Sequence, residues 1–179
     1  MALTATIYNF TVQLADVDRA VYETLQLKVA RHPSESAEYL VTRMLAYCLE
    51  FTEGISFSRG LSSPDEPVIA VRDLTGVIQA WIEVGAPDAA RLHKASKAAP
   101  RVAVYTHKGA TLRHQLAGEK IHRAEELEIH AFDREFLAGL VARLERRMAF
   151  DLSVTDRHLF LNIGDTTLSG EIERIRLEV

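Results

Sequence analysis

The N-terminal third of the chain shows two hydrophobic periods. From Thr4 to Leu14, apolar side chains mostly occupy even positions, which is the period of a half-buried strand. After two aspartates that can cap a helix, apolar residues recur every four positions over Arg19–Ala30. A longer apolar stripe at helical spacing covers Ser34–Phe51. We therefore expect a strand and two helices, the first helix ending near Pro33.

The middle of the chain is richer in strand patterns. Three short apolar runs are typical of strands: Ile55–Leu61, Pro67–Arg72 and Val77–Gly85. The turn sequence Asp73–Gly76 joins the last two. Asp88 can cap a helix that extends to about Ala99, and Arg101–Thr106 alternates as a strand does. A strand, a helix and another strand in this order indicate a parallel crossover.

The C-terminal half contains one ambiguous segment, Lys108–Arg123. Leu127–Phe132 has the pattern of a strand, and apolar residues at helical spacing from Phe136 to Met148 predict a helix. Phe150–Val179 alternates again and contains two turn sequences, so we expect a β-meander. The predicted fold is α/β, with a mixed central sheet flanked by helices.

The N-terminal strand is expected to pair with the C-terminal meander. No linker and no repeat interrupts the chain, so residues 1–179 are predicted to form a single domain.

Composition places this fold in a globular protein. The chain has 179 residues, of which 47% are hydrophobic, and it contains no apolar run long enough to cross a bilayer. The alternating N-terminus does not resemble a signal peptide, so we expect a cytoplasmic protein with no membrane partner. A single cysteine, Cys48, excludes an internal disulfide. The net charge of −4 argues against a uniformly basic nucleic-acid binder.

One carboxylate interrupts the most apolar predicted strand. Glu83 lies within Ala80–Gly85, and an unpaired buried charge is costly. If the hairpin before Glu83 turns at Leu74 and Thr75, Glu66 lies directly opposite Glu83 and Asp65 adjoins Glu66. Facing carboxylates repel each other, and Mg²⁺ or Mn²⁺ between them would remove the conflict. The sequence thus suggests a metal site at this hairpin.

Two alternatives to that metal site remain open. Arg59, Arg72 or Arg91 could neutralise Glu83, or the turn could shift by one residue so that the acids diverge. Glu38 lies at the rim of the apolar stripe on its helix, where it can reach the sheet; otherwise it is a solvated residue beside the stripe or a first-turn acid favoured by the helix dipole.

Several short runs resemble signatures of the YaeQ family. They are Ala30–Glu35, Phe57–Leu61, Asp65–Pro67, Trp81–Asp88 and Arg91–Ser96. The resemblance spans essentially the whole chain and implies a variant of the PD-(D/E)XK nuclease-like fold. In that superfamily, acidic residues hold Mg²⁺ and a lysine orients the nucleophile or steadies the phosphate.

Carried onto this chain, the resemblance assigns the first acid to Asp65, with Glu66 beside it, and the second to Glu83. Gly85 stands where the motif lysine is expected. Arg91 or Lys94, on the helix that follows, would supply the positive charge, and helical angles favour Arg91 because Lys94 points further from the core.

Two functions are consistent with these residues. The first is a Mg²⁺- or Mn²⁺-dependent nuclease or phosphodiesterase. Its candidate catalytic residues are Glu38, Asp65, Glu66, Glu83, Arg91 and Lys94, and its candidate metal ligands are Asp65, Glu66 and Glu83. The second is a catalytically inactive nuclease-fold protein that binds nucleic acid or a protein partner; the resemblance loosely associates it with transcription elongation.

The distribution of charge bears on both functions. Residues 91–123 contain eight lysines and arginines and one acid, a net charge of +7. Evenly solvated surface charges are one explanation, and a phosphate-facing surface beside the acidic site is the other. We expect segment 91–123 to be the nucleic-acid contact if there is one.

Overall fold

The structure, a computed structural model, describes residues 4–58 and 65–178. Ten strands and four α-helices lie within them. The strands are β1 (Thr6–Asp16), β2 (Val21–Arg31), β3 (Ile55–Phe57), β4 (Ile69–Arg72), β5 (Ile78–Val84), β6 (Arg101–Thr106), β7 (Glu128–Phe132), β8 (Arg147–Thr155), β9 (His158–Ile163) and β10 (Thr166–Ile175). The helices are α1 (Ala37–Glu50), α2 (Ala89–Ala98), α3 (Gly109–Leu116) and α4 (Arg134–Ala142).

The chain divides into two compact units, Met1–Leu49 with Phe132–Glu173, and Glu50–Ala131 with Arg174–Val179. Strands of the first unit lie in the order β2-β1-β8-β9-β10, and those of the second in the order β3-β4-β5-β6-β7. Both sets mix parallel and antiparallel pairs. The predicted α/β class with a mixed sheet is therefore confirmed, whereas the single domain over residues 1–179 stays a prediction.

The predicted helix over Arg19–Ala30 is wrong, because this segment forms strand β2. Val21, Leu25 and Val29 recur every four residues, but that spacing also fits a period of two, and Leu27 fills the intermediate buried position. The intervening polar residues are exposed. A short turn returns the chain after β1, and the two strands pair antiparallel along eleven residues. Burial of one face of this long hairpin outweighs the helical pattern.

The second unit contains the predicted crossover. Strands β5 and β6 are parallel and are joined by α2, whose N-cap is Asp88. The ambiguous segment contains α3. Side chains of β5–β7, α2 and α3 form one apolar cluster that includes Trp81, Leu92, Ala95, Val102, Val104, Leu112, Leu116 and Ile129. Helices α2 and α3 therefore cover the same face of the second unit's strands.

Other expectations hold with shifted boundaries. Helix α4 ends at Ala142, earlier than predicted, and Met148 already belongs to β8. The C-terminal meander is confirmed as β8–β10, and the N-terminal strand pairs with β8 in parallel. The predicted strand from Ile55 ends at Phe57 as β3, and its last positions lie outside the described residues. Among the helices described, none is long and apolar enough to span a membrane.

Candidate functional site

The β4–β5 hairpin has a different register from the predicted one. Ile82 pairs with Ile69 instead of Pro67, a shift of two residues along β4. The predicted turn would pair Arg72 with Val77, but Arg72 pairs with Ile78, so a longer turn accounts for one residue of the shift. A bulge between Val71 and Arg72 accounts for the second residue. Glu66 therefore does not face Glu83, and the expected pair of facing carboxylates is absent from the described hairpin.

Glu83 lies on β5 and is 2% exposed. The indole Nε1 of Trp81, two residues earlier on the same face, donates a 2.6 Å hydrogen bond to its Oε1. Arg91 Nε donates to its Oε2 at 2.8 Å. The backbone N–H of Val68 also hydrogen-bonds the carboxylate. Of the two described arginines considered as neutralising partners, Arg72 and Arg91, the structure places Arg91 on Glu83.

Opposing effects act on the pKa of Glu83. Burial raises this pKa above its ordinary value, because the charged carboxylate loses hydration. The hydrogen bond and the charge of Arg91 lower it, as do the Trp81 and Val68 donors. Burial is the stronger influence, so the net shift is upward. The Arg91, Trp81 and Val68 donors therefore limit a rise in the pKa that burial alone would make larger.

The first turn of α2 positions Arg91. Asp88 accepts a 2.8 Å hydrogen bond from the backbone N–H of Arg91 and so caps the helix. The guanidinium reaches Glu83 through Nε, and its Nη2 donates to the backbone carbonyl of Glu66 at 2.8 Å. Arg91 thus ties the segment before β4 to the buried carboxylate of β5.

One turn further along α2, Lys94 forms an ion pair with Asp65. Both side chains are largely exposed. The hydrogen bond and the charge of Lys94 lower the pKa of Asp65. Since exposed ion pairs contribute little to stability, this contact mainly sets where the two charges lie.

Five of the six predicted site residues therefore lie around the first half of α2. Glu83, Arg91 and the backbone of Glu66 are hydrogen-bonded, and Asp65 meets Lys94 beside them. The sixth, Glu38, belongs to the first unit, where it is exposed in the first turn of α1. Arg59 lies outside the described residues, and Arg72 donates to a carbonyl of its own turn.

These residues do not fit a divalent cation as they are arranged. Both carboxylate oxygens of Glu83 already accept from N–H donors, and one of those donors is cationic. Over residues 4–58 and 65–178, no group of three or more histidine, cysteine or acidic side chains is placed to hold a metal ion. Mg²⁺ and Mn²⁺ prefer anionic or neutral oxygen ligands in an open shell. The predicted metal site through Asp65, Glu66 and Glu83 stays a prediction.

The basic segment 91–123 is partly neutralised within the second unit. At least four of its eight cations pair with carboxylates: Arg91 with Glu83, Lys94 with Asp65, Arg101 with Glu50 and Glu128, and Arg123 with Glu126. All of these acids lie outside the segment. The other four cations, Lys97, Lys108, Arg113 and Lys120, are exposed. The local excess of positive charge is therefore smaller than the sequence count.

A polar cluster that no sequence motif indicated lies within the same unit. Glu50 is buried and accepts hydrogen bonds from Arg101 Nη2 at 3.0 Å and from the Tyr105 hydroxyl at 2.6 Å. Arg101 also pairs with Glu128, and His130 stacks on Tyr105. His130, whose Nε2 lies 3.8 Å from Oε1 of Glu128, and then Arg101 lower the pKa of Glu128 to about 2 against the opposing effect of burial. The residues come from three separate elements, so no local spacing marks them.

Comparison with known proteins gives consistent matches over nearly the whole chain. The family model described as YaeQ protein matches residues 1–172. A relative from Escherichia coli (strain K12), named Uncharacterized protein YaeQ, is 37% identical over 164 residues, which cover 90% of this chain and 91% of the relative. A relative of the same name from Salmonella typhi is 36% identical over 174 residues, 96% of each chain.

Two solved structures share this fold. The crystal structure of YaeQ protein from Xanthomonas axonopodis pv. citri matches with a TM-score of 0.80 and 28% identity, covering 98% of this chain and 100% of that one. The crystal structure of YaeQ protein from Pseudomonas syringae matches with a TM-score of 0.82 and 29% identity, covering 97% of each chain.

Proposed function

The chain belongs to the YaeQ family, and we propose that it is a cytoplasmic nucleic-acid-binding protein built on a divergent PD-(D/E)XK nuclease-like scaffold that no longer hydrolyses phosphodiesters. The observation that carries this proposal is the neutralised state of Glu83. The buried acid expected to hold a metal is bonded to the Arg91 guanidinium and the Trp81 indole. Gly85 occupies the position of the motif lysine.

The proposed contact surface is the helical face, defined as α2, α3 and residues 117–123. Both helices pack on one face of the strands, so their outer sides share one surface. The loop after α3 is fastened to α2, because His122 N donates to His93 Nδ1 at 3.0 Å and Ser96 Oγ donates to the His122 carbonyl. This places Lys97 and Lys120 on the same side of the unit. Exposed cations on one rigid surface favour contact with phosphates.

Binding to short single- and double-stranded DNA and RNA, measured by fluorescence anisotropy at several salt concentrations, tests the proposal. We expect Lys97→Glu/Lys120→Glu to weaken binding to every bound sequence and to reduce the salt slope by about one per lost phosphate contact. The control variant, Arg134→Glu/Arg147→Glu, changes the net charge equally but lies in the first unit, where both residues are exposed. Equal losses in both variants, or no binding by the wild-type protein, would contradict the proposal. Binding to a protein instead of nucleic acid would do so as well.

Metal-dependent hydrolysis is the second candidate, because Asp65, Glu66, Glu83, Arg91 and Lys94 do gather around α2. Titration of the wild-type protein and of Glu83→Gln with Mg²⁺ or Mn²⁺, followed by melting temperature, distinguishes the two functions. The binding proposal expects no difference between the two proteins in their response to the metal. A metal-dependent stabilisation that Glu83→Gln abolishes, together with cleavage of any nucleic acid, would favour the nuclease.

A further inference from the structure

Among residues 4–58 and 65–178, strand β2 forms an open edge of the first unit's sheet. It is eleven residues long and stands last in the strand order, with β1 on one side. The backbone N–H of Asn9 on β1 donates to the carbonyl of Arg146, the residue before β8, and the N–H of Val17, the residue after β1, donates to the carbonyl of Val154 on β8. Since backbone groups alternate in direction along a strand, the even residues of β1 point toward β2.

The register then identifies the open groups of β2. Even residues of β1 pair with odd residues of β2, as Phe10 does with Leu27, so the odd residues of β2 bond to β1. The even residues turn their N–H and C=O groups outward; they are Tyr22, Thr24, Gln26, Lys28 and Ala30. A hydrogen bond from Arg43 to the Ala30 carbonyl agrees with this assignment. That bond occupies one end of the edge.

The remainder of this edge lacks the usual protection against pairing. Natural edge strands are commonly short, bulged, interrupted by proline or covered with charge. Strand β2 contains no proline, pairs with β1 without a break in register, and carries one lysine among its outward residues. Tyr22, near its start, is 61% exposed. The edge is therefore a template for another strand.

We propose that the protein forms a two-fold symmetric dimer in which β2 pairs antiparallel with β2 of a second copy, with Leu25 facing Leu25 at the axis. This register pairs Thr24 with Gln26 and Tyr22 with Lys28. The four outward residues other than Ala30 then all bond to the second copy, giving about eight hydrogen bonds between the copies. A register that pairs Ala30 would have to displace Arg43.

The side chains suit this register. On the exposed face, Lys28 meets the Tyr22 ring of the second copy, a contact that a cation and an aromatic ring favour. On the buried face, Leu25 extends the apolar row of one copy into that of the other. No like charges face each other, because Glu23 is opposite Leu27.

Sedimentation equilibrium of the full chain tests the dimer. We expect a mass of about twice 20.0 kDa at high protein concentration. Gln26→Pro should raise the dimer dissociation constant about thirtyfold or more, because it removes an outward N–H twice by symmetry. The fold should survive, since position 26 donates nothing to β1, and far-UV circular dichroism checks this. Gln26→Thr keeps the N–H and serves as the control.

Disulfide trapping tests the register. Tyr22 and Lys28 are too far apart along one strand to be joined within a chain, so Tyr22→Cys/Lys28→Cys should give a covalent dimer on oxidation. Thr24→Cys/Lys28→Cys should not, because in this register those positions do not face each other. A wild-type monomer at all concentrations, a dimer insensitive to Gln26→Pro, or efficient trapping of the second variant in place of the first would each overturn the proposal.

Discussion

Removal of the Arg91 guanidinium tests how the second unit tolerates its buried acid. The side chains of Glu83 and Arg91 are 3% and 17% exposed, so solvent screens this pair only weakly. Arg91→Ala leaves the carboxylate with the N–H donors of Trp81 and Val68 but without its guanidinium. Loss of one partner of a buried ion pair costs about 3–5 kcal/mol. For a chain of this size, the melting temperature should fall on the order of 10 °C.

The loss should depend on pH with a definite sign. Burial raises the pKa of Glu83, so between the unfolded and folded pKa values the folded protein binds more protons and stability falls as the pH rises. Arg91 is the strongest influence opposing that rise. Without Arg91, the pKa of Glu83 in the folded protein rises further, so the pH range over which stability falls extends to higher pH. The difference in stability between wild type and Arg91→Ala should therefore be larger at pH 8 than at pH 5.

Urea unfolding followed by fluorescence measures this difference directly, because the chain's single tryptophan, Trp81, lies at the site. The double variant Glu83→Gln/Arg91→Ala removes both charges and serves as the control. It should be more stable than Arg91→Ala at pH 8, and its deficit should not grow with pH. An equal loss for Arg91→Ala at pH 5 and pH 8, or no recovery in the double variant, would refute a role for the ion pair in stabilising buried charge.

Three further substitutions test the surrounding structure by urea unfolding. Gly54→Ala should cost on the order of 2 kcal/mol more than Gly76→Ala: both glycines have φ of +89°, but a Cβ at Gly54 would lie 2.0 Å from a carbonyl oxygen of β4, whereas Gly76 has open space. Asp88→Ala should cost about 1 kcal/mol through loss of the α2 cap, and Asp88→Asn should restore most of it. The pKa of Glu128 is lowered from 4.5 to about 2, mainly by His130, so this acid stabilises the fold above about pH 4.5 and the contribution is lost as the pH falls toward 2. Glu128→Gln should flatten that part of the stability curve.

Elements with one unambiguous period could be predicted from the sequence. The stripe on α1 fits only a helix, and Arg101–Thr106 has the bounds of β6. Strand β2 could not be predicted from Val21, Leu25 and Val29 alone, since a spacing of four fits both periods. Leu27 between polar neighbours was the available signal, but pairing with β1 decides the outcome.

The sequence identified residues of the candidate site but did not predict how they face each other. Glu83 stands out because an acid in an apolar strand needs a partner, and Arg91 is among the three partners that the sequence suggested. The facing of Glu66 and Glu83 depended on the register, which a bulge and one extra turn residue changed. The pattern of apolar and polar residues indicates neither the bulge nor the extra turn residue, so counting residues from the turn could not give the correct register.

The charge of segment 91–123 shows the same limit for electrostatics. The acids that pair with Arg91 and Arg101 come from β5, β7 and the end of α1, so a count along the segment misses them. Charge reversal should therefore have different effects at the cations that pair with these acids and at the exposed cations. Reversal at Arg91 or Arg101 leaves carboxylates without their partners and reduces stability first. Reversal at exposed Lys97 or Lys120 leaves the fold nearly unchanged and alters the field of the helical face, so these two positions separate recognition from folding.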